Sequence, residues 1–259
     1  MAVAPVGEQL REWRERRRMS QMDLALDSEI SARHLSFIET GRSKPSPEMI
    51  ERLAETLQVP HRARNALLLA AGYAPEYRER ALDDSEMAAI RAIVEHVLRG
   101  HEPYPALAID RHWNMVAAND AIGVLIEQVS PTLLVSPVNV LRIALHPDGL
   151  APQIVNYGEW RAHILHRLTM QVEATADPVL ADLLAELVGY SRQANDNDSG
   201  DLNGIAVSLV LDTVAGRLSF VSTVTVFGSP VDITLSELAI EAFYPADKES
   251  ADLLRKLSG

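Results

Sequence analysis

Apolar positions in the N-terminal part of the chain recur at helical intervals. Ile50, Leu53, Ala54 and Leu57 fall at i, i+3, i+4 and i+7, one stripe of an amphipathic helix. Leu10 and Trp13 repeat the three-residue step in "EQLREWRERRR", as do Leu35 and Ile38 in "SARHLSFIE". Residues that begin and end helices stand between these runs. Ser20 with Asp23 has the spacing of a capping box, Ser31 caps the next run, and Ser46 with Pro47 opens another. Gly41 supplies a left-handed residue after Glu39, and "RARNALLLAAG" closes at Gly72. The pattern predicts five short helices. The second and third are joined by a turn of about four residues, a helix-turn-helix within a bundle.

Beyond a charged join, "GYAPEYRERALDDSEM", the periodicity changes twice. That join holds Pro75 and no Gly/Ser tract, which predicts a short, stiff connection, and "SEMAAIRAIVEHVL" reads as an amphipathic helix. Next, "YPALAID" and "WNMVAAN" read as two strands about the turn "RH". Helical segments follow: "DAIGVLIEQV", "NVLRIALHP", "IVNYGEWRAHILHRLTMQVEAT" and "PVLADLLAELVGY". A polar stretch, "RQANDNDSGDLNG", reads as a mobile surface loop. Three strand-like runs come after it, "IAVSLVLDT", "RLSFVSTVTVFG" and "LSELAIEAFY", then a last helix, "PADKESADLLRKL". The expected fold is an all-α helix-turn-helix bundle followed by an α+β domain. That domain has a five-stranded antiparallel sheet, with a helical insertion between an opening hairpin and a closing meander, a PAS-like order. The expected boundaries are 1–75 for the bundle, 76–100 for linker and connecting helix, and 101–259 for the PAS-like domain.

Charge separates the same two parts. The chain carries a formal net charge of −12, but residues 1–75 hold eleven Arg/Lys against ten Asp/Glu, a net of +1, and the rest carries −13. This asymmetry implies modules with different partners. With 47% hydrophobic residues a core is available, and the absence of cysteine excludes disulfides and thiolate chemistry. No apolar run approaches the ~20 residues of a membrane span, and "MAVAPVGEQL" lacks the pattern of an export signal. The expectation is a soluble cytoplasmic protein with no membrane partner.

Residues 7–72 resemble the lambda-repressor/Cro-type (xenobiotic-response-element-like) DNA-binding domains. The likeness rests on Gln21, Leu24-Ala25, Ile30 and the run "IETGRSKPSP". Glu29 departs from it, since the family usually has Gly at that turn position; either Glu29 adopts positive φ or the turn differs. The resemblance implies that residues 31–39 lie in the major groove of double-stranded DNA. Ser31 caps that helix, Ala32, Arg33 and Ser36 face base edges, and Arg33 is the natural guanine reader. Gln21, His34, Thr40, Arg42, Ser43 and Lys44 would touch phosphates. Arg14 and Glu39 match positions that pair inside the bundle. Arg16, Arg17 and Arg18 either reach DNA or form a solvated helix end, and Phe37 packs on a second subunit or fills a groove. So small a bundle makes few base contacts, so a homodimer on a palindromic operator is expected.

The segments "AGYAPEYRER", "EPYPALAIDRHWNMVAAN", "LRIALHPDGLAPQIVNYGEW" and "ITLSELAIEAFYPAD" resemble the MmyB-like transcriptional regulators. That resemblance implies a DNA-binding regulator whose C-terminal half senses a small, largely apolar effector, fatty-acid-like in some relatives. An apolar interior between sheet and helices suits such a ligand. Candidate liners are Trp113 and Met115 on the second strand, Trp160, Ile164 and Leu168 on the covering helix, and Phe220 and Phe227 on the later strands; each equally suits ordinary core. Tyr157 shares the long helix, and Asn156, Trp160, His163 and Arg167 form one stripe at i, i+4, i+7 and i+11. The stripe either orients a carboxylate or carbonyl, or faces a dimer partner or solvent. Two rival readings stay open: a constitutive dimerisation scaffold without effector, and a cofactor-binding redox or haem domain. No cofactor is implied by the residues themselves. His163 and His166 lack a nearby carboxylate to complete a metal shell, and "NDNDSGD" lacks the final Glu of a calcium loop. Without a Gly-x-Ser-x-Gly elbow, HExxH or phosphate loop, nothing points to an enzyme.

Overall fold

The computed structural model describes residues 4–190, 207–228 and 232–257. They form two compact units: the first runs to Glu79 and also takes in the short segments 173–175 and 232–233, and the second holds the rest of the chain from Arg80. The polar stretch "RQANDNDSGDLNG" lies outside the described residues.

The first unit is five helices: α1 (Val6–Arg16), α2 (Gln21–Asp27), α3 (Ala32–Glu39), α4 (Pro47–Thr56) and α5 (His61–Ala70). Their starts are set by the predicted caps. The Ser20 hydroxyl accepts from Asp23 N while Asp23 accepts from Ser20 N, and Ser31 and Ser46 accept from His34 N and Met49 N. Gly41, at φ +72°, turns the chain out of α3. The apolar stripes meet in one core that contains Leu10, Leu24, Leu35, Ile38, Ile50 and Leu53. Gly7 lets α1 come against the end of α3, because a Cβ there would lie 2.2 Å from the Ile38 carbonyl oxygen.

Glu29 takes the positive-φ alternative, at φ +54°, so the turn keeps its shape without glycine. Past α5, the Asn65 carboxamide accepts from Glu76 N and Tyr77 N and donates to Tyr77 O. The Tyr77 ring stacks on His61 at 4.1 Å, and its hydroxyl donates to Glu51. The chain therefore stays bound to the bundle for several residues beyond its last helix.

The second unit opens with α6 (Ala88–Gly100), then the hairpin of β1 (Ala106–Ile109) and β2 (Met115–Ala118). The inserted helices are α7 (Ile122–Ile126), α8 (Val140–Leu145), α9 (Tyr157–Thr175) and α10 (Pro178–Val188). β3 (Leu209–Thr213), β4 (Gly216–Val226), the single turn α11 (Ile233–Ser236), β5 (Ala239–Pro245) and α12 (Lys248–Leu257) complete it. The sheet is antiparallel throughout, in the order β2-β1-β5-β4-β3. β5 thus joins the opening hairpin to the closing meander.

Strand alternation divides two cores. Leu107, Ile109, Leu218, Phe220 and Phe243 enter a cluster with the inserted helices. Ala106, Ala108 and Ile240 enter another with Val94 and Leu98 of α6. Two expectations need correction. Trp113 is not on the second strand: it sits at φ +66° in the turn before β2, where Asp110 Oδ1 accepts from His112 N and Asn114 N. "LSELAIEAFY" is not strand throughout, because Leu235 and Leu238, three apart, both enter the α6 cluster and impose a helical turn first.

A left-handed non-glycine residue costs roughly 1–2 kcal/mol, of which the looser unfolded chain of glycine takes back part. Glu29→Gly should therefore stabilise the chain by about 0.5–1 kcal/mol in urea unfolding. An unchanged or lower midpoint would show that contacts of Glu29 offset its strain.

Candidate functional sites

Two sites stand out, one in each unit. The first is the exposed side of α3. Its position is fixed by a buried fork: Arg14 donates from Nε to Glu39 Oε1 at 2.7 Å and from a terminal nitrogen to Oε2 at 3.0 Å. Gln21 Nε2 donates to the same Oε2 at 2.7 Å, and Arg14 also donates to Met19 O. Gln21 thus orients Glu39. Arg17 donates to the carbonyls of Leu57 and Gln58, which closes the ends of α1 and α4 together.

Arg33, exposed on the first turn of α3, and Arg42, just past its end, both lie over the Phe37 ring, at 5.4 and 6.0 Å. Phe37, whose role the sequence left open, is the half-buried platform beneath two guanidinium groups, each held by the ring's negative face. Ser31 caps α3, Ala32, His34, Ser36 and Ser43 are half-buried around it, and Thr40 donates back to Ser36 O. Lys44 rests its ammonium 4.5 Å from the centre of the Tyr73 ring. Among the described residues no ion pair engages Arg33, Arg42 or Lys44, and all three cations are exposed, Arg33 on the first turn of α3 and the other two just past its end.

The second site is an apolar pocket between the sheet and the inserted helices. Of the residues expected to line it, Trp113, Met115, Trp160, Ile164 and Arg167 do so. Others lie elsewhere. Phe220 and Leu168 are sealed in the adjoining core, and Tyr157 is buried with its hydroxyl donating to Leu145 O. Phe227 packs in the α6 cluster, on the opposite face of the sheet. His163 stands beside Trp160, ring centres 5.5 Å apart, and burial and then the Arg167 charge lower its pKa. Asn156 heads the predicted stripe but serves β3, accepting from Val210 N and donating to Ser208 O.

Most of the lining is apolar, with Leu125, Leu141, Ile143 and Ile154 from the insertion and Leu209 and Phe243 from the sheet. Its polar groups are few. Arg167 donates to Glu241 at 3.0 Å and lies 4.7 Å over the Trp113 ring, whose Nε1 donates to Gln171. Glu241 went unnoticed in sequence, although a carboxylate between Ala239 and Phe243, in the inward phase of an apolar strand, was the available signal. Its side chain is 8% exposed, against 27% for Arg167. Trp160 Nε1 is buried and has no hydrogen-bond partner among the described residues. Leaving such a donor unmet costs about 1–3 kcal/mol.

Removing one member of a buried ion pair costs more than replacing both. Arg167→Met should destabilise the chain by about 3 kcal/mol, and Arg167→Met with Glu241→Leu should recover most of that loss in thermal unfolding. Equal losses in the single and double variants would show that the pair is not what holds Glu241 in place.

Residues 5–67 match a family described as a helix-turn-helix domain. The chain is 33% identical over 121 residues to the uncharacterized HTH-type transcriptional regulator RghRB of Bacillus subtilis (strain 168), which covers 46% of this chain and 84% of that protein. It is 43% identical over 74 residues to the HTH-type transcriptional repressor RghR of the same organism, 28% of this chain and 53% of that protein. An RNA-binding light-oxygen-voltage receptor aligns at a TM-score of 0.27 and 12% identity, over 97% of this chain and 63% of the receptor, too distant to bear on fold or function. Residues 90–257, most of the chain, match the MmyB-like transcription regulator ligand binding domain. With a helix-turn-helix domain ahead of that ligand-binding domain, the chain belongs to the MmyB-like transcription regulators.

Proposed function

We propose that this transcription regulator acts in the cytoplasm as a homodimer on a palindromic operator, and that a small, largely apolar effector with a fatty-acyl-like chain sets its DNA affinity from within the second unit. The observation that carries the effector is the unfilled, almost wholly apolar pocket between the sheet and the inserted helices. A core meant only to be stable would be filled, since interiors pack to crystal density.

α3 enters the major groove, with Arg33 and Ser36 toward base edges and Arg42, Ser43 and Lys44 toward phosphates. Phe37 holds the Arg33 guanidinium in place, which lowers the entropy lost when its fork meets a guanine. One bundle reads few bases, and a dimer places two copies of α3 about 34 Å apart. Effector control then needs only that the ligand favour one dimer arrangement over another. DNA affinity moves by the ratio of the ligand's affinities for the two.

With an operator obtained by selection from random oligonucleotides, Arg33→Ala should weaken binding by about 1–3 kcal/mol and relax preference at one base pair. Equal loss on operator and random DNA would assign Arg33 to phosphate. Lys44→Ala should weaken all sequences alike and reduce the salt slope by about 0.9; an unchanged slope would remove it from the backbone contacts. The effector itself is tested by stripping the purified protein of bound lipid: if stripped and untreated dimers bind the operator equally, with and without added lipid extract, the domain is a scaffold.

A further inference from the structure

The polar groups of the cavity are not equally available to a ligand. Arg167, its one cation among the described residues, is already paired with Glu241 and stacked over Trp113. A ligand carboxylate would have to share that guanidinium with a protein carboxylate whose side chain is 8% exposed. Two anions on one cation in a site so poor in water repel strongly, and one of them must take up a proton or leave. His163, next to Trp160, is not among the residues that line the cavity, and burial and then Arg167 lower its pKa. The remaining polar feature is a donor. Trp160 lines the cavity, and its buried indole N–H meets no acceptor among the described residues. Buried donors nearly always have a partner, so an unmet one beside an apolar cavity marks where a ligand's acceptor belongs.

We propose that the effector is uncharged: an alkyl chain bearing one hydrogen-bond acceptor of the ester, ketone or aldehyde kind, with the acceptor on Trp160 Nε1 and the chain along the apolar wall. This rests on the reading that the cavity holds a small apolar effector, and it excludes the free fatty-acid anion as the preferred form. The Arg167–Glu241 pair acts as a filter. It is neutral as a unit, it closes the polar part of the wall, and it offers an anion no unshared charge.

The test uses the full chain stripped of lipid, with dissociation constants for methyl decanoate and decanoic acid measured at pH 8 by displacement of Nile red. The ester should bind at least about 10-fold more tightly, because the acid is almost wholly ionised more than three units above its ordinary carboxyl pKa. Trp160→Phe should weaken the ester by about 5–10-fold, the worth of one hydrogen bond. Glu241→Gln should free Arg167 and strengthen decanoate by about 10-fold with little change for the ester. Decanoate binding as tightly as the ester, or an unaltered preference in Glu241→Gln, would overturn the proposal while leaving an effector site in place. Ester affinity unaffected by Trp160→Phe would refute the anchor, and should that variant fail to fold, the wild-type preference and Glu241→Gln still decide. Failure of both compounds to displace the dye would refute the effector reading itself.

Discussion

The bidentate pair between Arg14 and Glu39 is the interaction on which the first unit turns. Apolar packing alone lets a short helix rotate about its axis or slide by part of a turn, because it is indifferent to direction. The fork is not. Arg14 on α1 grips the last residue of α3 with two parallel hydrogen bonds, and Gln21 on the first turn of α2 takes the same carboxylate. Three helices are thereby fixed at one point, buried where water cannot compete. Gly7 completes the arrangement by letting α1 lie against the carbonyls at the end of α3. An α3 set this firmly can present Arg33 and Arg42 over Phe37 at a constant angle, as base reading requires.

A second ion pair, Arg167 with Glu241, sits at the cavity wall, and its purpose cannot be stability. Well-packed apolar residues would serve a core as well or better. On the proposed reading, the charged pair in this otherwise apolar wall would restrict what lies beside it, by refusing both unpaired charge and bulk that would separate the partners. The sheet makes this possible at small expense. β5 runs down the middle of the sheet, paired on both sides, so Glu241 is held by two ladders and cannot swing to solvent.

Local features were the most legible in the sequence. The caps at Ser20, Ser31 and Ser46, the left-handed Gly41 and the apolar stripe of α4 each depend on residues within a turn of one another, and each formed as the spacing implied. The strand count and the hairpin–insertion–meander order were legible for the same reason. What the sequence hid was long-range. Phe37 gained its meaning from Arg33 and Arg42 meeting above it, and Arg17 from carbonyls forty residues away. Phe227 looks like a cavity residue only until strand phase is known, and phase reverses with a single residue of register. Glu241 was passed over because a lone carboxylate in a strand reads as solvent-facing until its partner, 74 positions away, is found.

On the proposed DNA docking, the acidity of the chain would work toward specificity rather than against binding. At physiological salt the Debye length is about 8 Å, so charges on a distant surface scarcely influence a phosphate that Arg42 or Lys44 touches directly. The −13 beyond residue 75 therefore leaves a correctly docked α3 almost unaffected. A misdocked molecule that brought acidic residues within that distance of the DNA would be repelled. Because the first unit has a net charge of only +1, there is little uniform attraction to compensate, and non-specific affinity stays low. Discrimination is a difference between two free energies, and it grows as readily by weakening the wrong complex as by strengthening the right one. With three exposed cations around one helix and net negative charge in the rest of the chain, the proposed DNA recognition would rely on the first of those routes.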